Sequence, residues 1–321
     1  MKRKALICGV SGQDGSYLAK LLLEKNYEVY GGSRDAQASS FSNLKKLGIK
    51  ELITLVSINI CDFRSTLQTL MKIQPDEIYN LAGQTSVGLS FDQPVETLES
   101  ISVGTLNLLE AIRFSGAPIK LYSAGSSECF GDTGELKANE ETSFRPRSPY
   151  AVAKATSFWE VANYREAYQL FACTGILFNH ESPLRPNRFV TQKIISTACR
   201  IHNGSDEKLV LGNIDIERDW GWAPDYVEAM WLMLQQDKPD DFVISTGKTN
   251  SLKRFIDYTF ETLGLDSTKY VVSNPELMRP TDLKIGRSDP SKALNVLGWK
   301  ATHTMEDVIG FMIESELEQR Q

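Results

Sequence analysis

Histidine is scarce in this chain: three residues (His180, His202, His303) in 321, with no CxxC or HxxxH spacing, leave little from which to build a protein-held zinc site, and no metal is expected. The five cysteines (Cys8, Cys61, Cys129, Cys173, Cys199) are odd in number, far apart and mostly set in apolar stretches. That pattern fits reduced core thiols rather than a disulfide framework and points to the cytoplasm. Long apolar runs are also missing. The opening "MKRKALICGVSGQDG" is basic and then apolar, but Gly9, Gly12 and Asp14 interrupt it too soon for a signal peptide or a membrane span. Positive charge is not in excess: 35 Lys and Arg against 41 Asp and Glu give a net charge of −6, which argues against a nucleic-acid surface. An anionic ligand must therefore be held by local cations rather than by the overall field.

Hydrophobic residues at 41% and charged residues at 24% are ordinary globular usage, and the length allows one large α/β domain or two intimate ones. The β-rich runs "KALICG", "YEVYGG", "ITLVSI", "EIYNLAG", "IKLYSAG" and "ACTGILFN" alternate with helically spaced segments near Ser16–Lys25, Arg64–Ile73, Thr97–Phe114 and Pro149–Tyr168. Such alternation predicts a doubly wound parallel sheet. After Asn179 the rhythm changes: a loop "HESPLRPNR", a helix near Phe189–Asn203, a short "KLVLGN" strand and then "RDWGWAPDYVEAMWLML". The expected division is 1–179 for a nucleotide-binding domain and 180–321 for a smaller capping region. The chain is expected to return to the first domain at about Asp219–Thr246, so that the two interleave.

Gly9, Gly12 and Gly15 in "GVSGQDG" stand between the first strand and the first helix, where backbone N–H groups and a helix N-terminus can meet a pyrophosphate. A tight turn is the bland alternative, since glycine serves φ > 0 with or without a ligand. At the end of the second strand, Gly31, Gly32 and Ser33 offer no carboxylate for a ribose 2′-hydroxyl, and Arg34 follows. That favours NADP over NAD, provided that Asp35 turns outward; otherwise Arg34 is a solvated loop residue.

Tyr150 and Lys154 in "SPYAVAK" lie four residues apart at a helix start and so project from one face. A tyrosine acting as base must drop from about 10 towards neutrality, roughly 4 kcal/mol of preferential phenolate stabilisation. A nearby ammonium and a cationic nicotinamide can supply it. Taken alone, the pair reads as an ordinary helix-surface contact. Ser126 and Ser127 fall at the carboxyl end of a strand, where open α/β sheets bind ligands. Glycine loop, serine, tyrosine and lysine in this order resemble the extended short-chain dehydrogenase/reductase family, along essentially the whole chain. Simple alcohol oxidation has no use for Glu128 in "AGSSECFG". Once C4 of a hexose is a ketone, however, a carboxylate there could remove the C5 proton and then protonate the departing C6 hydroxyl, each step worth about 10²–10⁴ in rate. The alternative for Glu128 is a surface carboxylate or a partner for a lysine.

The stretches "GVSGQDGSYLAKLLLEKNYEV", "YNLAGQTSVGLSF", "SSE", "SPYAVAK", "NYREAY", "GILFNHESPLRP", "FVTQKI", "LGNIDIERDWG", "DYVEAMWLMLQQ" and "RPTD" are similar to the GDP-mannose 4,6-dehydratase family. That resemblance implies a Rossmann-like fold with an interleaved C-terminal substrate-binding region, and a redox-neutral loss of water from GDP-mannose. It implies Ser126 (commonly threonine in the family), Glu128, Tyr150 and Lys154 as catalytic. It further implies Gly9, Gly12, Gln13, Asp14, Gly15, Arg34, Asn59, Ile60, Leu81, Ala82, Tyr150, Lys154 and His180 around NADP. For the nucleotide sugar it implies Ser86, Asn179, Glu181, Lys193, Arg218 and Arg279, with Ser182 beside them and Arg185 either there or pinning the loop. The chain departs from the family at Arg34-Asp35, where many relatives carry two arginines that serve the cofactor phosphate and a tetramer contact. Gly125 replaces a usual serine and Asn59 an aspartate. The helices near Thr97–Phe114 and Pro149–Tyr168 are expected to pair with a second subunit, giving a dimer or tetramer. A 4-epimerase or 4-keto reductase on the same scaffold would have no need of Glu128, and a non-catalytic NADP-binding regulator no need of the serine, glutamate, tyrosine and lysine together.

Overall fold

In the computed structural model, which describes residues 2–318, the apolar run after Arg3 forms strand β1 (Lys4–Cys8), fully buried from Ala5 onward. Around it the first part of the chain alternates strand and helix: α1 (Gln13–Glu24), β2 (Glu28–Ser33), α2 (Ser42–Lys46), β3 (Thr54–Ser57), α3 (Phe63–Ile73) and β4 (Glu77–Asn80). Helices α4 (Val87–Asp92), α5 (Pro94–Leu98) and α6 (Gly104–Ser115) lead to β5 (Lys120–Ala124), α7 (Pro149–Tyr168) and β6 (Ala172–Leu177). The remainder comprises β7 (Asn179–Glu181), α8 (Val190–His202), β8 (Leu209–Leu211), β9 (Glu217–Trp222), α9 (Ala223–Leu234), β10 (Phe242–Ile244), β11 (Thr249–Ser251), α10 (Leu252–Thr262), α11 (Ser267–Tyr270), β12 (Val271–Ser273) and α12 (Met305–Glu318).

Seven strands form one parallel sheet in the order β10-β6-β5-β4-β1-β2-β3. This is a Rossmann-like doubly wound arrangement whose order reverses between β1 and β4, and the crevice at that reversal, outside the strands' carboxyl ends, is where such sheets take ligands. Leu18 and Leu22 of α1 pack with Met230 and Met233 of α9 on one face. Leu70 of α3, Leu108 and Ile112 of α6 and Val161 of α7 cover the other. Each such fully buried side chain contributes about 1.5–3 kcal/mol relative to exposure.

A second core forms where α8, α10 and α12 meet β9, around Ile194, Phe255, Ile309 and Trp220. Two small sheets accompany it, β7-β9-β11 and β8-β12. Within 219–246, α9 packs on α1 and β10 extends the main sheet, whereas β9 belongs to the small one. The tie between the two is Asp219, fully buried, which accepts from Thr246 N (3.1 Å), Thr246 Oγ1 (2.8 Å) and Ser288 Oγ (3.1 Å). Burial pushes its carboxyl up to about 6 against those hydrogen bonds.

Two expectations need correction. The helix expected near Thr97–Phe114 is broken: α5 passes through a π-type turn over Glu99–Val103 before α6 begins. Gly104 sits at the join, where a Cβ would lie 2.6 Å from Ile60 Cδ1, so the close approach of the two elements there requires glycine. The run "ACTGILFN" is also not one strand. It leaves the main sheet after Leu177 and starts the small sheet at Asn179, which carries the chain across the mouth of the crevice.

Candidate active site

At the β1–α1 turn, Gly9 has φ +89, and a Cβ there would lie 2.8 Å from Leu81 O and 2.9 Å from Ala82 N. A Cβ on Gly15 would strike the Gly9 carbonyl and lie 2.7 Å from Val10 Cα. The three glycines thus fold the turn against the end of β4, and α1 starts after Gly12 with no side chain capping it. That leaves an uncapped helix N-terminus and bare backbone, a cradle that a dinucleotide pyrophosphate fits.

Gln13 and Asp14 point to the far side of this turn. Gln13 Nε2 donates to Asp14 Oδ1 (2.9 Å) and to the His180 carbonyl (3.2 Å), and Ser182 Oγ donates to Gln13 Oε1 (2.8 Å). Asp14 Oδ2 lies 2.9 Å from His180 Nε2, and His180 Nδ1 lies 2.7 Å from the Phe178 carbonyl. Burial alone would raise the Asp14 carboxyl, but the charge and hydrogen bond of His180 outweigh it and hold it at about 2. An ionised carboxylate and a carbonyl only accept, so both ring nitrogens of His180 carry protons. It is a buried imidazolium, raised against its own desolvation by Asp14 and stacked on Tyr226 at 4.4 Å.

The adenosine-side residues follow the carboxyl ends of β2 and β3. Arg34 is 84% exposed and 3.9 Å from Glu96. Asp35 is engaged locally: its Oδ1 accepts from Gln37 N (2.9 Å) and Ala38 N (3.0 Å) within its own turn. Asn59 Oδ1 accepts from Cys61 N (3.2 Å). Ile60 is buried against Gly104, and its carbonyl accepts from Asn107 Nδ2 (2.8 Å).

Beyond β5 opens a pocket of about 380 Å³. Ser126 caps the short turn Ser127–Phe130, its Oγ accepting from Glu128 N (3.3 Å). Helix α7 starts with Ser148 as N-cap, accepting from Ala151 N (3.1 Å), and Pro149 in its first turn. Tyr150 and Lys154 therefore face the same pocket as Ser126 and Glu128. Lys154 Nζ donates to the Ala124 carbonyl (2.6 Å) and stands 5.9 Å from the Tyr150 ring centre. Burial lowers the lysine to about 8. It raises the Tyr150 phenol despite a hydrogen bond with Ser126. Burial also raises the Glu128 carboxyl, with the Arg218 and Arg279 charges pulling it back.

Opposite these groups lie Ser86, the N-cap of α4, and Asn179, Glu181, Lys193, Arg218 and Arg279. Several are already engaged. Glu181 is 3.0 Å from Arg185, Lys193 Nζ donates to Val210 O (2.7 Å), and Arg218 donates to Leu283 O (2.8 Å) and Glu217 O (2.9 Å). Arg218 and Arg279 share Asp282 at 3.5 Å. Asp14, Leu81 and His180 also reach this pocket, whereas Gly9, Gly12, Gln13, Gly15, Arg34, Asn59, Ile60 and Ala82 do not line it. The sequence reading passed over Thr85, Arg188, Thr191 and Asp282, which do. Arg188, a cation just before a helix start, carried the clearest overlooked signal. No group of His, Cys, Asp and Glu among the described residues could hold a metal ion, and none of the five cysteines is joined in a disulfide.

The sequence profile of the GDP-mannose 4,6 dehydratase family matches residues 6–312. GDP-mannose 4,6 dehydratase 1 of Arabidopsis thaliana is 45% identical over 327 residues, covering 99% of this chain and 90% of that protein. Among solved structures, dTDP-glucose 4,6-dehydratase of Bacillus anthracis in complex with NAD superposes with TM-score 0.86 at 19% identity, covering 99% of this chain and 97% of that one. RMD of Pseudomonas aeruginosa complexed with NADPH gives 0.83 at 21%, covering 99% and 100%. At those identities the structures speak for the fold.

Proposed function

The chain belongs to the GDP-mannose 4,6-dehydratase family, and from that premise we propose how its pocket works, with which cofactor and in which assembly. It is a hydro-lyase that converts GDP-mannose to GDP-4-keto-6-deoxymannose and water, using a nicotinamide dinucleotide. Bound in the glycine cradle with its nicotinamide towards Tyr150, the dinucleotide would supply the chemistry of accepting the C4 hydride and giving it back at C6.

The residues of this chain handle the protons. Tyr150, as phenolate, takes the 4-hydroxyl proton, with Ser126 hydrogen-bonding the same oxygen. Lys154, withdrawn to Ala124 O by only one hydrogen bond, is free to hold the nicotinamide ribose with its other two donors. Glu128 then removes the C5 proton and delivers it to the C6 hydroxyl, which leaves as water. The proton taken from O4 is the one left for C5, so the cycle balances with no net redox change. A carboxyl raised by burial yet checked by Arg218 and Arg279 suits a group that must serve first as base and then as acid. The convergence of Glu128 with Ser126, Tyr150 and Lys154 in one pocket is the observation that carries this assignment, since epimerisation or 4-keto reduction leaves Glu128 without a task.

The cofactor is taken to be NADP, supported by Arg34 with its charge exposed at the end of β2 and by the engagement of Asp35 with the backbone of its own turn. Gly9, Gly12 and Gly15 serve the pyrophosphate. Gln13, Asp14 and His180 shape the cradle from behind, Leu81 and Ala82 wall it, and Asn59 and Ile60 stand on the adenine side. Ser86, Asn179, Glu181, Lys193, Arg218 and Arg279 serve GDP-mannose, Glu181 by holding Arg185. On this reading residues 1–179 hold the cofactor and 180–321 the nucleotide sugar. Cysteines without a disulfide among them support a cytoplasmic location, and no helix among the described residues is long and apolar enough to cross a membrane. The protein is a homo-oligomer, dimer or tetramer.

Mass spectrometry of GDP-mannose incubated with the protein and catalytic NADP⁺ tests this. A product lighter by one water, without net reduced cofactor, is expected. Glu128→Gln should cut product by about 10²–10⁴ while a transient reduced-nicotinamide absorbance persists. Wild-type product formation in that variant would remove Glu128 from the mechanism.

A further inference from the structure

Two of the cations assigned to the nucleotide sugar depend on a stretch of chain with no regular structure of its own. From Met278 to Ser288 the chain belongs to no helix or strand, yet it brings Arg279 and Asp282 into the pocket. It also backs Arg218, whose guanidinium donates to the Leu283 carbonyl (2.8 Å) and the Lys284 carbonyl (3.4 Å) and pairs with Asp282 at 3.5 Å. Arg279 reaches the same carboxylate at 3.5 Å. Loop-borne groups keep their geometry only where further contacts hold the loop.

Several of those contacts come from the chain just beyond Glu128. Asp132, four residues on, accepts through Oδ1 from the Lys284 N–H and from the Ile285 N–H, the latter at 3.1 Å. Next to it, Thr133 N donates to Ile285 O (3.1 Å) and Arg287 N donates to Thr133 Oγ1 (2.9 Å). Lys284 is thus held from both sides, its N–H by Asp132 and its carbonyl by Glu217 N (2.7 Å) and by Arg218. A continuous path of hydrogen bonds runs from Asp132 through the Lys284 backbone to the Arg218 guanidinium. Glu128 stands among the same charges: burial raises its carboxyl first, Arg218 and Arg279 lower it, and Asp282 and Asp132 raise it again.

We propose that Asp132 is a positioning residue that keeps Arg218 and Arg279 in register with Glu128, so that the diphosphate held by the arginines sets the sugar against the carboxylate. This rests on the assignment of the pocket to a nucleotide sugar and of Glu128 to its dehydration. Asp132 does not itself line the pocket; it acts through the backbone of Lys284 and Ile285.

Two measurements on the NADP-loaded protein test this. Calorimetric titration with GDP should show Asp132→Ala weaker than the wild type by about tenfold. Asp132→Asn, which keeps the acceptor oxygen, should recover most of that loss, with NADP affinity unchanged in both variants. Turnover of GDP-mannose per bound NADP should show Asp132→Ala with a raised KM and also a kcat lowered by about tenfold or more, because a misplacement of about 1 Å can cost about 100-fold. A wild-type GDP affinity in Asp132→Ala overturns the proposal, as does a loss of NADP affinity, which would make Asp132 a general support of the fold. Asp132→Asn as weak as Asp132→Ala overturns it too, since the acceptor oxygen would then not be what matters. So does a raised KM with kcat intact, because the arginines would then be held without reference to Glu128. If the GDP titrations come out as expected while the wild type leaves GDP-mannose unchanged, the positioning of the arginines by Asp132 stands and the reaction assigned to the pocket falls.

Discussion

Tyr150 and Lys154 show what a single residue owes to its surroundings. The i, i+4 spacing was legible because helix geometry fixes it, but the protonation of the pair was not. In the folded chain burial raises the phenol and lowers the ammonium to about 8, so Tyr150 stays protonated at neutral pH unless a further positive charge is brought beside it. Asp14 is the converse. The family resemblance implied a cofactor contact for it, while its main partner, His180, lies 166 residues away. For His180 a raised folded value means stability fully present below about 6.5 and lost as pH rises through the raised value. For Asp14, held at about 2, the contribution is present above about 4 and fades as pH falls towards 2. The pair is therefore worth most between about pH 4 and 6.5. In urea unfolding of the cofactor-free protein, His180→Gln should cost on the order of 1–3 kcal/mol near pH 5.5, with the gap to wild type narrowing towards pH 9. A gap that stayed flat across that range would show that the folded imidazole is uncharged.

At the scale of elements, the sequence disclosed most where one rule acted alone. Helix α7 runs over Pro149–Tyr168 as expected, because a serine cap and a first-turn proline define its start. The main-sheet strands followed from short apolar runs. The π-type turn before α6 was hidden because apolar spacing marks a segment as helical without showing where its hydrogen-bond ladder shifts by a residue. The β7-β9-β11 sheet was hidden because two of its strands, β7 and β11, have only three residues and leave too little pattern to count. Gly125 shows the same limit from the other side. A glycine at the end of β5 reads as a loss of the family's serine, yet its ideal Cβ would lie 2.8 Å from Thr174 Cγ2 and 3.0 Å from Gly175 O on β6. The neighbouring strand therefore demands it. Gly125→Ala should destabilise the fold by about 1–3 kcal/mol, and Thr174→Ser, which deletes the obstructing methyl, should restore part of that in a double-mutant cycle. Strict additivity of the two would mean that Thr174 is not what excludes a side chain there.

For the whole molecule, the feature left without a partner is the outer face of α5, α6 and α7. Val95, Leu98, Leu106, Val152 and Trp159 are all exposed there, Trp159 by 63%, with Val103 beside them on the π-type turn. Single exposed apolar residues are ordinary, but a contiguous group rimmed by polar side chains marks an association surface. These helices also back the pocket: α7 carries Tyr150 and Lys154 on the side turned towards the sheet. A second copy seated on this face would stiffen the helix that positions the chemistry, and would explain why the surface is apolar on a protein with net charge −6, which otherwise resists self-association. Trp159→Glu and Leu106→Glu place charges in the middle of that contact. Sedimentation velocity at micromolar concentration should show the wild type as a dimer or larger and both variants shifted towards the monomer, with circular dichroism unchanged. If both variants kept the wild-type sedimentation coefficient, the proposed helical face would not be the contact; if the wild type itself ran as a monomer, the homo-oligomer would fall with it.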